Sequence, residues 1–401
     1  MLRVVRKARN DGRNRRRAAV HGVHAAKAPV GHDGRRRVHE QHASDRATIG
    51  VRTCRGRRSA GGRRAVRPAL APFPYFGGKS RVADVVWSRL GDVDNYIEPF
   101  FGSGAVLLAR PHPEPWTRTE TVNDIDAHLA NFWRAVQREP ESVAREMNWP
   151  VNEVDLEARH KWLVKMPEKD GFAARMKSDP DHYDVRRAAW WCWGLCQWIG
   201  SGWCAGEYYG EGDERTTGTG VNVSDPERGG RRPHLSAGMG VHKKIPHIGM
   251  GMSENARREA VLIEWMISLR DRLRNVRVAC GDWLRVCCSD STTTKHGVTG
   301  VFLDPPYADT AGRMKDIYAH DDLRVAHDAR EWAIERGRDR MMRICLCGYE
   351  GEHNMPADWD VVEWSASGGY SSQGQKGNVN RHKERLWFSP ACGSGAPLFG
   401  Q

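Results

Sequence analysis

The stretch of residues 95–109 constrains the fold of this chain most, because its sequence passes from a strand pattern to a helix pattern across a glycine turn. Asn95-Tyr96-Ile97-Glu98 predicts a short strand that ends in an acid, and Gly102-Ser103-Gly104 precedes the apolar run Ala105-Val106-Leu107-Leu108-Ala109. This order is typical of the nucleotide-binding corner of a doubly wound α/β sheet. Glycines allow a ligand to approach the backbone closely. An acid before the turn would repel a pyrophosphate, so Glu98 indicates a cationic group on the ligand.

A second strand end carries two prolines. Val301-Phe302-Leu303 predicts a short buried strand, and Asp304-Pro305-Pro306-Tyr307 follows it. Each proline restricts the residue before it to extended conformations and lacks an N–H group, so this turn offers mainly acceptors. Two rigid acceptors beside an aromatic ring suit a planar ligand that carries an exocyclic amino group. An ordinary strand end could have the same sequence.

Two further predicted strands also end in acidic residues. Glu120-Thr121-Val122-Asn123 ends at Asp124, which is suited to accept hydrogen bonds from ribose hydroxyls. Asp126 fits equally a solvated residue or the N-cap of the next helix. Val276-Arg277-Val278-Ala279-Cys280 precedes Asp282 and Trp283, which could take an adenine amino group and stack on its ring, or could cap a turn.

Gly77-Gly78-Lys79-Ser80 is reminiscent of a phosphate-binding loop, but position 73 is Phe where that loop needs glycine. The sequence therefore argues against a nucleoside triphosphatase of that kind. A glycine turn before a helix near residues 80–90 is the simpler structural interpretation.

Taken together, these segments resemble the motifs of Dam-type DNA adenine methyltransferases. Residues 74–79 are similar to the family's Pro-Tyr-x-Gly-Gly-Lys segment, and residues 98–104 match Glu-Pro-Phe-x-Gly-x-Gly at every fixed position. Residues 304–307 resemble the family's catalytic Asp-Pro-Pro-Tyr, and residues 383–388 its final strand. The resemblance covers roughly residues 72–390.

The resemblance implies a Rossmann-like sheet that binds S-adenosylmethionine, with a mainly helical and loop-rich target-recognition domain inserted into it. It implies catalytic roles for Asp304, Pro305, Pro306 and Tyr307. It implies cofactor binding by Tyr75, Gly78, Lys79, Glu98, Phe100, Gly102, Gly104, Asp124, Asp282, Trp283 and Asp304. Tyr75 and Lys79 would contact the methionine end of the cofactor.

The domain boundaries follow from composition and motif order. Residues 1–70 contain 20 Lys and Arg against 4 Asp and Glu, and we expect a disordered basic extension there. It could bind nucleic-acid phosphates or be a non-native leader. We expect a catalytic domain in residues 72–139 and 266–390, a recognition insertion in 140–265 and a tail in 391–401. The insertion contains a Trp-rich stretch at 188–199, which predicts a buried helix, and basic loops that could follow a phosphate backbone.

Later segments continue the α/β pattern. Helices are predicted around residues 257–274 and near 321–336, with strands at Arg343-Ile344-Cys345-Leu346-Cys347 and in residues 383–388.

Other sequence features limit the class of protein. There is no apolar run of about 18 residues to span a membrane, and Met1 to Lys7 lead into no apolar core of a secretory signal. The cysteines lack paired Cys-x-x-Cys spacing, so we expect free thiols in a reducing compartment and no metal. We therefore expect a cytoplasmic protein. The resemblance implies an enzyme that acts on DNA, which we expect to be a monomer there, with a companion restriction nuclease left open.

The expected reaction is methyl transfer from S-adenosylmethionine to N6 of an adenine that is flipped out of DNA. N4-cytosine methylation is one alternative, because cytosine presents a similar amino group. A catalytically inactive DNA-binding protein with the same fold is another, although the acids at 98, 124, 282 and 304 argue against it. Protein or RNA methylation is disfavoured, because related glutamine-modifying enzymes resemble Asn-Pro-Pro-Tyr.

Overall fold

The computed structural model describes residues 70–73, 75, 79–111, 118–198, 203–204, 252–306, 324–364 and 384–393. The chain divides into two units, Met1–Arg64 and Ala65–Gln401, and all of the described residues belong to the second.

The described strands form one sheet. They are β1 (Asn95–Glu98), β2 (Thr119–Asp124), β3 (Val276–Cys280), β4 (Thr299–Leu303), β5 (Met342–Tyr349), β6 (Asp360–Trp364) and β7 (Glu384–Phe388). Their order is β3-β2-β1-β4-β5-β7-β6. The first five strands are parallel, while β7 pairs antiparallel with both β5 and β6. This mostly parallel sheet confirms the predicted Rossmann-like α/β fold.

Helices separate most of the strands along the chain. They are α1 (Ala83–Leu90), α2 (Ala105–Leu108), α3 (Ala127–Arg138), α4 (Pro140–Met147), α5 (Glu153–Asp170), α6 (Phe172–Ser178), α7 (Val185–Leu195), α8 (Met252–Leu273), α9 (Leu284–Cys287) and α10 (Val325–Arg336). The predictions of a helix near residues 80–90, a buried Trp-rich helix and helices near 257–274 and 321–336 are confirmed by α1, α7, α8 and α10.

The centre of the sheet is buried on both faces. Every residue of β1 and of β4 is buried, as expected where helices cover both faces of parallel strands. Ile97 pairs with Thr121 on one side and Val301 on the other, and Asp124 pairs with Cys280. The carboxyl ends of β1, β2, β3 and β4 therefore lie along one edge, where the predicted site residues follow.

Asp126, for which the sequence left two roles open, is the N-cap of α3. Its Oδ1 accepts hydrogen bonds from the backbone N–H groups of His128 and Leu129, at 2.8 and 3.3 Å. The side chain thus satisfies donors that have no partner within the helix.

One hydrophobic cluster joins the sheet to helices from the interval predicted to recognise the target. It includes Val122 of β2, Phe302 of β4, Phe132 of α3, Val143 of α4, Leu163 of α5, Trp193 of α7 and Leu269 of α8. Helix α8 continues through residue 265 without a break. The described helices of residues 140–265 therefore share a core with the sheet, and their role in recognition stays a prediction.

Strand β6 was not predicted from the sequence. Its residues are exposed or half-buried, and Val361 is 55% exposed, because β6 pairs only with β7. An edge strand of this kind lacks the continuous apolar pattern that marks the central strands.

The described ranges lack disulfides, candidate metal sites and helices that could span a membrane. Their cysteines are free thiols. Their histidine, cysteine and acidic side chains form no group of three or more that could hold a metal ion. None of the helices found there combines the length and apolar character needed to cross a membrane.

Candidate active site

Glu98 is buried at the carboxyl end of β1. Its Oε2 accepts hydrogen bonds from the Tyr96 hydroxyl at 2.9 Å and the Leu107 backbone N–H at 3.2 Å. Among the described residues nothing donates to Oε1. Burial raises the pKa of Glu98 to about 8, and the negative charge of Asp304 adds to the rise, while the bonds from Tyr96 and Leu107 oppose it. One carboxyl oxygen is therefore available at the sheet edge.

The turn after β1 needs glycine at two positions. Gly102 and Gly104 have φ angles of 50° and 64°, in the left-handed region that residues other than glycine rarely adopt. A Cβ on Gly102 would lie 2.8 Å from Cε1 of Tyr75, and one on Gly104 would lie 2.6 Å from Cζ of Phe101. The ring of Tyr75 therefore lies directly against the glycine turn, although the two are far apart in the sequence.

Asp124 is tied to the same turn. Its Oδ2 accepts from the Gly102 backbone N–H at 3.0 Å, and its Oδ1 accepts from the Asp126 backbone N–H at 3.0 Å. Burial raises the pKa of Asp124 to about 7, and the charge of Asp126 adds to the rise. The carboxyl group therefore fixes the turn that connects β1 with α2.

Asp282 and Trp283 lie beyond the end of β3 in different environments. Asp282 is exposed, and its Oδ1 accepts from the backbone N–H of Leu284 at 2.8 Å, which is the turn-capping role. Trp283 is buried, and its ring centroid lies 5.9 Å from that of Phe100, with an angle of 31° between the planes. The adenine-binding role of Asp282 and Trp283 and the cofactor-binding role of Phe100 stay predictions, with the capping bond a second role for Asp282.

Asp304 lies at the end of β4 and forms an ion pair with Lys79. Lys79 Nζ is 2.9 Å from Asp304 Oδ1 and 4.0 Å from Glu384 Oε2. Lys79 is only 3% exposed, whereas the Asp304 side chain is 21% exposed. Burial alone would lower the pKa of Lys79, but the charges of Asp304 and Glu384 outweigh it and hold this pKa above its ordinary value. Lys79 is therefore an ammonium between two carboxylates.

Pro305 is buried and Pro306 is half-buried directly after Asp304. Two predicted site residues, Gly78 and Tyr307, lie outside the described residues, and so do the basic loops of the predicted recognition segment and the basic extension.

Three residues that the sequence did not single out support the site. Asn123 donates from Nδ2 to the carbonyls of Pro99, at 3.1 Å, and Gly281, at 2.9 Å, and thereby joins the turns after β1 and β3. Trp133 donates from Nε1 to the Gly102 carbonyl at 3.1 Å. Glu384 is the third, and an acid that begins a fully buried strand was the signal that could have identified it.

Direct contacts or charge coupling thus connect seven of the predicted site residues through their side chains or backbones. They are Tyr75, Lys79, Glu98, Gly102, Gly104, Asp124 and Asp304. Glu98 and Asp304 are close enough for the charge of Asp304 to raise the pKa of Glu98. The arrangement places a glycine turn, an available carboxyl oxygen and a rigid acceptor at one edge of the sheet. It suits a ligand that carries positive charge, beside a second ligand that donates hydrogen bonds.

Comparison with known proteins agrees with this geometry. The profile of the D12 class N6 adenine-specific DNA methyltransferases matches residues 75–178. The DNA N-6-adenine-methyltransferase of Escherichia phage P1 is 34% identical over 84 residues, which are 20% of this chain and 10% of that relative. The match thus spans about a tenth of the relative's length. Residues 75–178 are therefore similar to the D12 class of N6 adenine-specific DNA methyltransferases, the family that the sequence motifs resemble.

Proposed function

We propose that this chain transfers a methyl group from S-adenosylmethionine to N6 of adenine in DNA. The observation that carries the proposal is the position of the Asp304 carboxylate, which lies at the same sheet edge as the glycine turn and is electrostatically coupled to Glu98. The family match supports adenine as the target base.

The residues at the sheet edge fit the proposed cofactor. Glycine at positions 102 and 104 lets the rings of Tyr75 and Phe101 pack against the turn, and a turn of this kind can present its backbone to a ligand. Oε1 of Glu98 can accept from the cofactor ammonium, and Asp124 can accept from ribose hydroxyls with its remaining lone pairs. Lys79 has three N–H donors, so it can contact the cofactor carboxylate while it pairs with Asp304.

The proposed mechanism depends on positioning and electrostatics. S-adenosylmethionine supplies a methyl group activated by the positive charge on its sulfur. The Asp304 carboxylate and the Pro305 carbonyl accept hydrogen bonds from the two N–H groups of the adenine amino group, and Tyr307 stacks on the adenine ring. This requires the base to leave the helix, at a cost of a few kcal/mol, as a rough estimate. As the nitrogen–carbon bond forms and the sulfur–carbon bond breaks, the nitrogen loses a proton, which Asp304 can accept.

The proposal is tested by sequencing that detects modified bases, on DNA from cells that express the full chain, together with mass spectrometry of the digested nucleosides. We expect N6-methyladenine in a fixed sequence context, and none in cells that express Asp304→Ala. N4-methylcytosine instead would identify the alternative reaction. Unmodified DNA from cells containing folded protein would contradict the enzymatic function.

The segment of residues 140–265 is proposed to recognise the DNA target, and we propose that the enzyme acts as a monomer on DNA in the cytoplasm. The family match supports DNA as the substrate. Gel filtration of the purified protein with and without DNA measures the oligomeric state.

Cofactor binding is expected to strengthen as pH rises toward about 8, because a bound cation favours the ionised form of Glu98. Glu98 has a pKa of about 8 without the cofactor, and a nearby positive charge lowers it. Between the two pKa values, binding therefore releases a proton, and the affinity rises by up to about tenfold per pH unit. Calorimetry at pH 7 in two buffers of different ionisation enthalpy measures this release.

The matched control is Glu98→Gln, which keeps the shape of the side chain and removes its titration. The amino group of the cofactor also titrates, so the difference between the two proteins measures the proton exchange that depends on the Glu98 carboxyl group, its effect on that amino group included. Equal proton release from both proteins would show that Glu98 does not ionise on binding.

A further inference from the structure

Lys79 pairs with one oxygen of the carboxylate that the proposed reaction requires as an acceptor. Its Nζ is 2.9 Å from Asp304 Oδ1, the carboxylate that must receive the target amino group. When that amino group arrives, Asp304 is shared between an ammonium and a hydrogen-bond donor of the base. A Lys79 that moved away from Asp304 would keep only the proposed contact with the cofactor carboxylate, and the loss of a charged partner where Lys79 is 3% exposed is strongly unfavourable.

Glu384 offers the alternative partner. It is 4% exposed, and its Oε2 is 4.0 Å from Lys79 Nζ, beyond hydrogen-bond distance by about 1 Å. Rotation within the flexible side chain of Lys79 can cover that distance without movement of the backbone. A small displacement can thus move the Lys79 ammonium from the Asp304 carboxylate to the Glu384 carboxylate.

The backbone at Glu384 is held on both sides. Glu384 begins β7 and pairs with Tyr349 of β5 and Trp364 of β6. The ring of Trp364 also lies 5.7 Å from Lys79 Nζ and covers the ammonium. A carboxylate on a strand between two neighbours provides a fixed acceptor, whereas Asp304 lies on the turn that follows β4.

We propose that Glu384 is a positioning residue that accepts the Lys79 ammonium when the target amino group binds to Asp304. This inference rests on the proposed function. Lys79 keeps a charged partner throughout, and Asp304 becomes a stronger acceptor for the amino group at the moment of methyl transfer. Glu384 itself does not touch the reacting atoms.

The test measures the single-turnover rate of methyl transfer to DNA, with the dissociation constant of S-adenosylmethionine and the melting temperature, for three variants. Glu384→Gln keeps the shape and removes the charge, so we expect the rate to fall roughly 10- to 100-fold while the dissociation constant changes less than about threefold. Glu384→Asp keeps the charge and should retain a rate within about fivefold of the wild type. Glu363→Gln on the neighbouring strand, where the side chain is exposed, is the matched control and should leave the rate unchanged.

A purely structural role for Glu384 would lower the melting temperature and cofactor affinity of the Gln variant together with its rate. A Gln variant as fast as the wild type, or a folded Asp variant as slow as the Gln variant, overturns the inference while the proposed function stands. A wild-type protein that does not methylate DNA overturns both.

A measurement on the wild type covers the case in which the Gln variant does not fold. In a crystal structure with target DNA and an unreactive analogue of the cofactor, we expect Lys79 Nζ to lie within about 3.2 Å of a Glu384 oxygen. We expect it also to lie farther from Asp304 than in the protein alone. Lys79 still paired with Asp304 beside a bound amino group would overturn the inference.

Discussion

Replacement of Asp304 by asparagine is expected to lower methyl transfer by at least about 100-fold, because the amide is a much weaker acceptor for the target amino group than the carboxylate. Asp304→Ala should abolish transfer. Asp304 follows β4, which lies beside β1, and pairs with the buried Lys79, so most of the cofactor contacts proposed above do not involve it. Cofactor affinity, measured by calorimetry, should stay within about tenfold of the wild type.

The matched control is Asp360→Asn. Asp360 also carries an ion pair, at 2.8 Å to Arg89, but its side chain is 66% exposed on the edge strand β6. Its replacement should leave methyl transfer and stability unchanged, because exposed pairs contribute little. Wild-type turnover by the Asp304→Asn variant would refute the assignment of Asp304 as the acceptor.

Replacement of Arg134 by alanine is expected to lower the free energy of unfolding by about 3–5 kcal/mol, because the change removes four charge-assisted hydrogen bonds to carbonyls that are buried or partly buried. Arg134 lies in α3 and is buried. Its guanidinium donates to the carbonyls of Val278, Met176, Asp179 and His182, at distances from 2.9 to 3.2 Å. One side chain thus joins α3 to β3 and to the segment around α6, and denaturant unfolding of the variant measures its contribution.

Arg138→Ala is the control for charge and helix position. Arg138 lies one turn farther along α3 and pairs with Asp181 at 2.7 Å, but both side chains are more than half exposed. The loss of this exposed ion pair should lower the free energy of unfolding by less than about 1 kcal/mol. If the two variants were equally stable, the carbonyl contacts of Arg134 would not be what holds these elements together.

The strand ends were predictable because their signal is local. A short strand pattern that ends in an acid marks Glu98, Asp124 and Asp304. The structure places Glu98 and Asp124 last in their strands and Asp304 directly after β4. The strand predicted at Val276–Cys280 is found with the same limits. The location of each of these side chains follows from the hydrophobic pattern and the turn residues at a few neighbouring positions.

The partners of these residues were not predictable in the same way. Lys79 and Glu384 come from opposite ends of the described chain, and only the pairing of β7 with β5 brings Glu384 to the sheet edge. The capping bond of Asp282 likewise depends on the geometry of the turn that leads into α9. Contacts of this kind depend on strand order, which a pattern of neighbouring residues does not contain.

The strand order also constrains how the molecule is made. β1 lies between β2 and β4, and β4 comes much later in the chain. At roughly 5–20 residues per second, the roughly 200 residues between Glu98 and Thr299 take about 10–40 s to leave the ribosome. During that time one side of the central strand has no hydrogen-bonding partner. The central pairing of the sheet, between β1 and β4, can therefore form only after the strand that ends at Leu303 has been made.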